Sequence, residues 1–239
     1  MELIELMAGR LHLLRFGIGQ AYLWQDPGSL TLVDTGPPGS APRIAEALRG
    51  LGYRPGDLTR VILTHFHPDH VGAAAEVSSW GDATVLAHQL DAPVIRGEVP
   101  GPPPVLTPAE RELHAHIAAA ADGFAPAPAA RVDIELGHGD TLDFGAGASV
   151  VGAPGHTAGS IAVYLPVHRV VLTGDSAARA SDGRVILGPF NVDRDQAIAS
   201  FRRLAELEVD IACFGHGDPV LSGASAELQA VAGQRDFDL

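Results

Sequence analysis

Between Thr64 and Gly72 the chain reads Thr64-His65-Phe66-His67-Pro68-Asp69-His70-Val71-Gly72, which sets three imidazoles and one carboxylate within six positions. Imidazole and carboxylate are ligands that suit zinc, iron, manganese and related ions. The apolar run Val61-Ile62-Leu63 precedes them. A strand that ends there can aim alternate side chains at one spot, while the following turn carries Asp69 and His70 round to a second. The spacing therefore points to two neighbouring metals. Its competitor is a polar loop of solvated histidines, which leaves the density of ligand types unexplained.

Three later places repeat the setting of a β-like run, a glycine turn and then a metal-binding side chain. Val150-Val151-Gly152-Ala153-Pro154-Gly155 delivers His156, Val170-Val171-Leu172-Thr173-Gly174 delivers Asp175, and Ile211-Ala212-Cys213-Phe214-Gly215 delivers His216. Glycine beside a ligand lets the backbone turn tightly and approach an ion with no Cβ in the way. Each place is weak alone, since a lone Gly-His is ordinarily a loop residue. The ordered set His-x-His-x-Asp-His, Gly-His-Thr, Thr-Gly-Asp, Gly-His carries the signal.

That ordered set resembles the metallo-β-lactamase superfamily of metallohydrolases, and the resemblance runs from Asp34 to His216, most of the chain. It implies a single domain of α/β type, a four-layer αββα sandwich, with the metals at one edge between the sheets. By the resemblance His65, His67 and His156 hold one metal, Asp69, His70 and His216 hold the second, and Asp175 bridges them. Asp34, in Leu32-Val33-Asp34-Thr35-Gly36, matches an early strand-end aspartate that orients metal-binding histidines. Read from its neighbours alone, Asp34 is equally a turn residue capping the helix that starts near Ala41. Two zinc ions per chain are expected, with iron or manganese as alternatives.

The elements that must position these residues are legible as runs and breaks. Short β-like runs lie around Leu3 to Leu6, Leu11 to Phe16, Ala21 to Trp24 and Leu30 to Val33, separated by Gly, Pro and Asp turns, which reads as a meander. A helix from about Ala41 to Leu51, the strand Val61 to Leu63, a helix from about Val71 to Ser78 and the strand Thr84 to Ala87 follow. The second half offers strands near Val132 to Leu136, Ser149 to Val151, Ile161 to Leu165, Val170 to Leu172 and Ile211 to Phe214. Before the last of these, Asp193 and Gln196 open a helix whose stripe is Ile198, Phe201, Leu204 and Ala205. Arg60-Val61-Ile62-Leu63-Thr64 and Arg169-Val170-Val171-Leu172-Thr173 are near copies, consistent with two halves facing each other across a site.

Residues 96 to 131 break the pattern, because prolines bracket a single helical segment. Thr107 as N-cap, Pro108 at the first helical position and Glu110 as capping partner start it, and Leu113, Ile117, Ala120, Ala121 and Phe124 supply an apolar face. The segment is either a lid that walls a substrate pocket or a surface excursion or dimer contact. His114 and His116 lie two apart on this helix and so point to different faces. His12, His88, His138 and His168 stand alone in strand or turn contexts and read as structural or exposed. Cys213 reads as a packed core thiol, with no acid/base partner to make it a nucleophile.

Composition bounds the alternatives. The chain has 239 residues, 46% of them apolar, enough for a sizeable core. Its 16 basic residues are all arginine and its acidic residues number 29, giving a net charge of −13. That balance repels nucleic-acid phosphates and argues against a nuclease. No apolar run reaches the ~20 residues of a membrane span. All-arginine basicity with abundant alanine, glycine and proline fits a GC-rich bacterial genome. A single cysteine and an amino terminus without a charged leader fit the cytoplasm.

The ligands set the chemistry. Two metals about 3.5 to 4 Å apart lower the pKa of a shared water and polarise a carbonyl or phosphoryl oxygen. An ester, thioester or lactone of a small molecule is the expected substrate, with Asp69 positioning the nucleophile and moving its proton. Within the superfamily, Asp175 argues against a true β-lactamase and toward the branch of glyoxalase II and lactonases. The stretch Ser176-Ala177-Ala178-Arg179-Ala180 nevertheless lacks the Gly-Cys-Gly-Arg-type segment of glyoxalase II-like enzymes. It also lacks the tyrosine of one lactonase branch. The alternative is a mononuclear iron oxygenase of the persulfide dioxygenase kind.

Overall fold

Alternation along the strands divides the apolar residues of this chain among three cores. The computed structural model describes residues 1 to 120, 126 to 234 and 237. The first sheet runs in sequence order: β1 (Glu2–Met7), β2 (Leu11–Arg15), β3 (Gln20–Asp26), β4 (Ser29–Val33), β5 (Leu58–Leu63), β6 (Thr84–His88) and β7 (Ile134–Leu136). Strands β1 to β4 form the antiparallel meander, and β4 to β7 are parallel. The second sheet contains β8 (Thr141–Leu142), β9 (Ala148–Gly152), β10 (Ile161–Leu165), β11 (Val170–Leu172) and β14 (Ile211–Cys213), in the order β14-β11-β10-β9-β8. The hairpin β12 (Ala177–Arg179) and β13 (Val185–Leu187) stands apart from both.

The period of two in a strand sends neighbours to opposite faces, and both faces here are buried. Leu11, Leu13, Tyr22, Trp24, Val33 and Ile62 face inward and meet Val150, Val163, Leu165, Val170 and Leu172 of the second sheet. The intervening Leu14, Leu23, Leu32, Val61 and Leu63 face outward, onto Ile44 and Leu48 of α1 (Ala41–Gly50). On the far side Val151, Ala162, Val171 and Phe214 pack with helices later in the chain. The four layers are therefore an αββα sandwich.

The outer layers also hold α2 (Pro68–Val71), α3 (Ala74–Val77), α4 (Ala92–Ile95), α5 (Pro108–Ala120), α6 (Arg194–Ala205) and α7 (Ala224–Ala232). Asp193 caps α6 by accepting the Gln196 N–H at 3.0 Å. The capping box of α5 forms in both directions: Glu110 Oε2 accepts the Thr107 N–H at 2.7 Å, and Thr107 Oγ1 accepts the Glu110 N–H at 3.3 Å. The single helix expected from Val71 to Ser78 is instead two short ones, α2 and α3. They part where Gly72 lies so close to the Pro37–Pro38 backbone that a Cβ would collide. On α5 the anticipated apolar face is not a buried stripe, for Leu113 is 40% exposed. Ala121 and Phe124 lie outside the described residues. The hairpin β12–β13 and helices α4 and α7 carried no sequence expectation.

Strand direction decides where the site falls. Parallel β4 and β5 end together, Val33 opposite Ile62. In the other sheet β9 and β11 are each antiparallel to β10, and β14 is parallel to β11, so these three also share a direction. Asp34, His65, His156, Asp175 and His216 each follow the carboxyl end of one of these strands, where open α/β sheets hold their ligands.

Phe201 is fully buried between α6 and the second sheet. Phe201→Ala should cost about 3 to 5 kcal/mol through lost contacts and the cavity left behind, read as a lowered midpoint in urea unfolding.

Candidate metal centre

The strand ends bring every proposed ligand to one place. Three groups form, His65 with His67 and His156, His65 with His70 and Asp175, and Asp69 with His70 and His216. Within each, one ligand atom of every residue lies within 4.8 Å of the others. Asp175 connects them: Oδ1 is 3.2 Å from His70 Nε2, and Oδ2 is 3.2 Å from His216 Nε2 and 3.5 Å from His156 Nε2. Asp69 Oδ2 lies 3.2 Å from His216 Nε2 and 3.6 Å from His70 Nε2. Among the described residues, none of the 96 to 131 segment joins these groups.

The outer nitrogens of the imidazoles are fixed by partners that can only accept. Asp34 Oδ2 takes the His70 Nδ1–H at 2.8 Å, and the Pro189 carbonyl takes the His156 Nδ1–H at 3.0 Å. Thr64 Oγ1 donates to Asp34 Oδ2 at 2.8 Å, so its lone pair is left to accept from His65 Nδ1, 3.1 Å away. Each of these three rings thus turns its Nε2 toward the centre. Asp34 does not cap α1: it stands in the left-handed region at φ 61°, Ser40 is the N-cap, and the Asp34 carboxylate also accepts the Thr64 N–H at 2.8 Å.

His65 Nε2, His70 Nε2 and Asp175 Oδ1 are buried with no hydrogen-bond partner. Polar atoms buried without a hydrogen bond are costly in a protein interior, and a cation can answer the imidazole nitrogens and the carboxylate oxygen at once. The donor set therefore fits a metal. Glycine makes the approach possible at two points. A Cβ on Gly215 would collide with Asp175 Oδ1 and come within 2.7 Å of His70 Cε1. Gly174 adopts φ +52° with Thr64 Oγ1 2.7 Å from where its Cβ would sit.

Protonation follows the same division. Burial, with help from neighbouring imidazoles, drives His65 far below the ordinary histidine range and His67 down to about 3. His156 is lowered by burial too. For His70 and His216 burial also pulls down, but Asp175 and Asp69 outweigh it, lifting His70 well up and His216 to about 10. The same pairs overcome the burial penalty on the carboxylates, holding Asp69 at about 2 and Asp175 well below its usual range. Two imidazolium groups therefore stand where positive charge is required.

Sequence reasoning missed the residues that hold the ligand loops. Asp91, 1% exposed, accepts from the Phe66 N–H at 3.0 Å, the Thr157 hydroxyl at 2.7 Å and the Gly159 N–H at 2.8 Å. It ties the His65–His67 turn to the His156 turn, and burial raises its pKa to about 6. Tyr22 donates its hydroxyl to Phe214 O at 2.7 Å, and Gln20 Nε2 reaches Gly217 O at 2.6 Å, clasping the His216 loop from the opposite sheet. No local signal marks these residues. His12, His88 and Cys213 are buried away from the centre, and His168 packs on Trp24 with ring centroids 4.8 Å apart. His114 faces a cavity of about 480 Å³ that opens onto His67, Asp69, His156, Asp175 and His216.

Known proteins of this kind are recognisable. The family profile described as "Metallo-beta-lactamase superfamily" matches residues 14–216, and the chain belongs to that superfamily. Among its relatives is the probable metallo-hydrolase YflN of Bacillus subtilis, 28% identical, with 88% of this chain and 84% of that one aligned. The hydroxyacylglutathione hydrolase of Ruegeria pomeroyi is 31% identical over 80% of this chain, which spans 58% of that relative's length. Solved folds agree: a metallo-beta-lactamase family protein of Thermus thermophilus superposes at a TM-score of 0.66, with 24% identity over 95% of this chain and 79% of that one. The chain is a member of this superfamily whose His/Asp groups are able to hold metal.

Two outcomes are expected. Asp91→Ala strands the buried Phe66 and Gly159 N–H groups and should lower unfolding free energy by about 2 to 5 kcal/mol, measured on the metal-free protein. The charged His216 adds stability that is complete below its ordinary 6.5 and lost as pH rises through about 10. Metal uptake at the Asp69–His70–His216 group must displace those protons. Calorimetry in buffers of different ionisation enthalpy should show proton release at pH 7, with affinity rising as pH rises.

Proposed function

We propose that this chain is a dinuclear zinc hydrolase that cleaves an ester, thioester or lactone of a small molecule. The observation that carries the reading is the buried Asp175 carboxylate, which reaches toward both sets of histidines while the Nε2 atoms of His65 and His70 stand unpartnered. In this reading His65, His67 and His156 hold one ion, Asp69, His70 and His216 the other, and Asp175 both. Zinc so bound would supply Lewis-acid polarisation of the scissile carbonyl and a water activated near neutral pH.

The chain's own residues do the rest. Asp34, Thr64 and the Pro189 carbonyl keep His70, His65 and His156 in one tautomer and orientation. Asp69 lines the cavity with its side chain 14% exposed, and it is ionised at neutral pH. It is the group placed to orient the attacking water and take its proton. The described part of the 96 to 131 segment acts as a lid, a reading supported by Pro102, Pro104, His114 and Ile117 in the cavity wall. No helix among the described residues is long and apolar enough to cross a membrane. With a net charge of −13, a small molecule is the better partner than a nucleic acid.

The one-iron oxygenase alternative leaves Asp69, His70 and His216 without a purpose. Metal analysis should return two zinc ions per chain, and chelation should abolish ester or thioester turnover until zinc is restored. One iron with sulfur-dependent oxygen uptake would overturn the proposal. Asp69→Asn should cut kcat by about 10²- to 10⁴-fold with the circular dichroism spectrum unchanged. Near-normal turnover with both ions bound would remove Asp69 from its assigned role.

A further inference from the structure

Resting on the hydrolase reading above, we propose that the cavity selects a neutral, predominantly apolar acyl substrate and rejects acyl compounds that carry a carboxylate away from the scissile bond. Outside the metal-binding set, the described wall residues are Ile18, Phe66, Ile117 and Phe190 with glycine and prolines, and His114 is the one further polar side chain among them. Among the described residues no arginine lines it, and the chain contains no lysine. A remote carboxylate drawn into this cavity would lose its water without gaining a cation, and burying an unpaired charge is strongly unfavourable.

The arginines of the adjoining cleft do not change this. Arg15 and Arg179 line an adjoining cleft of about 350 Å³ that shares Gly17, Ile18 and His216 with the cavity. Arg15 is bound to Asp218 and lies 3.5 Å from Glu2. Arg179 donates Nε–H to Gly183 O at 2.8 Å and stands 3.9 Å from Glu227. Their charge is already matched by three carboxylates, so the cleft offers an anion no net positive field. A thioester of a peptide-like thiol with free carboxylates, the kind the hydroxyacylglutathione hydrolases are named for, finds no counter-charge here.

The apolar wall is a built feature. Phe190 holds the left-handed region at φ 64°, a conformation that side-chain-bearing residues rarely adopt. Its N–H donates at 3.1 Å to Glu110 Oε1, a carboxylate 1% exposed, and the next residue's carbonyl, Asn191 O, accepts the Val105 N–H at 2.9 Å. These bonds fix the Phe190 ring edge-on to His114, centroids 5.3 Å apart. Three positions along α5, Ile117 presents the same face to the cavity.

The experiment uses the zinc-loaded protein and matched aryl esters and thioesters of equal chain length, one member ending in methyl and the other in carboxylate, with a hydroxyacylglutathione as a further arm. The neutral member should be preferred in kcat/KM by about 10²-fold or more. Ile117→Arg should shrink that ratio by at least about 10-fold with metal content unchanged. Equal or better turnover of the carboxylate-ended esters, or of the hydroxyacylglutathione, overturns the proposal. Binding of uncleavable ketone analogues of the same pairs is measured by calorimetry alongside. Tighter binding of the neutral ketones upholds the selectivity even if no ester is turned over, a result that would sink only the hydrolase reading. Equal or tighter binding of the carboxylate ketones rejects the selectivity on its own.

Discussion

A carboxylate sunk among four imidazoles is the constraint from which the rest of this structure follows. Asp175 stands 3.2 Å from His70 and from His216, 3.5 Å from His156 and 3.9 Å from His65, and it is nearly inaccessible to solvent. A buried charge of this kind persists only with opposite charge beside it. The chain meets that demand in part with protonated His70 and His216, leaving the buried lone pair of the neutral His65 unanswered. Cations resolve both deficits. Holding so many charged and polar groups at these distances demands a rigid sandwich around them.

That rigidity comes from crossing the gap between sheets more than once. Tyr22 and Gln20 of β3 hold the loop of His216, which belongs to the other sheet. Thr64 O, after β5, accepts the Ile161 N–H at the start of β10 at 3.0 Å. Asp91 fastens the turn after β5 to the turn after β9. Between these ties the two sheets share an apolar core that contains Trp24, Val33, Ile62, Val163 and Leu172. The core sets the separation of the sheets, and the polar ties set the register of the loops at their edge. Asp91 shows the cost: its own ionisation is opposed by burial, yet no neutral side chain accepts from three such donors.

What could be read in the sequence was whatever repeats locally. Metal ligands sit beside turn glycines at strand ends, so residue type and position announced them together. The capping box of α5 spans three residues and was equally legible. Asp91 looks like an ordinary N-cap before α4, where its side chain makes no capping bond. Its partners Phe66 and Thr157 are 25 and 66 residues away, a separation that no local pattern reports. Strands β12 and β13 have three residues each, too few for alternation to show. Gly72 broke an expected helix because of the Pro37–Pro38 backbone beside it. The near-copied strands β5 and β11 do meet: Gly174 after one packs against Thr64 after the other.

The same tripeptide joins the wall of the cavity to the metal centre. Pro189 O accepts from His156 Nδ1, Phe190 N–H donates to Glu110 at the start of α5, and Asn191 O accepts from Val105 just before it. Glu110 spends its other oxygen on the cap of its own helix. A displacement of α5 therefore pulls on the residue next to the one that sets the tautomer and aim of His156. The strained backbone at Phe190 makes this linkage stiff, because relaxing it would release both bonds. Phe190, a wall residue, is thereby the direct neighbour of the carbonyl that orients His156, so the wall and the metal centre share one piece of backbone.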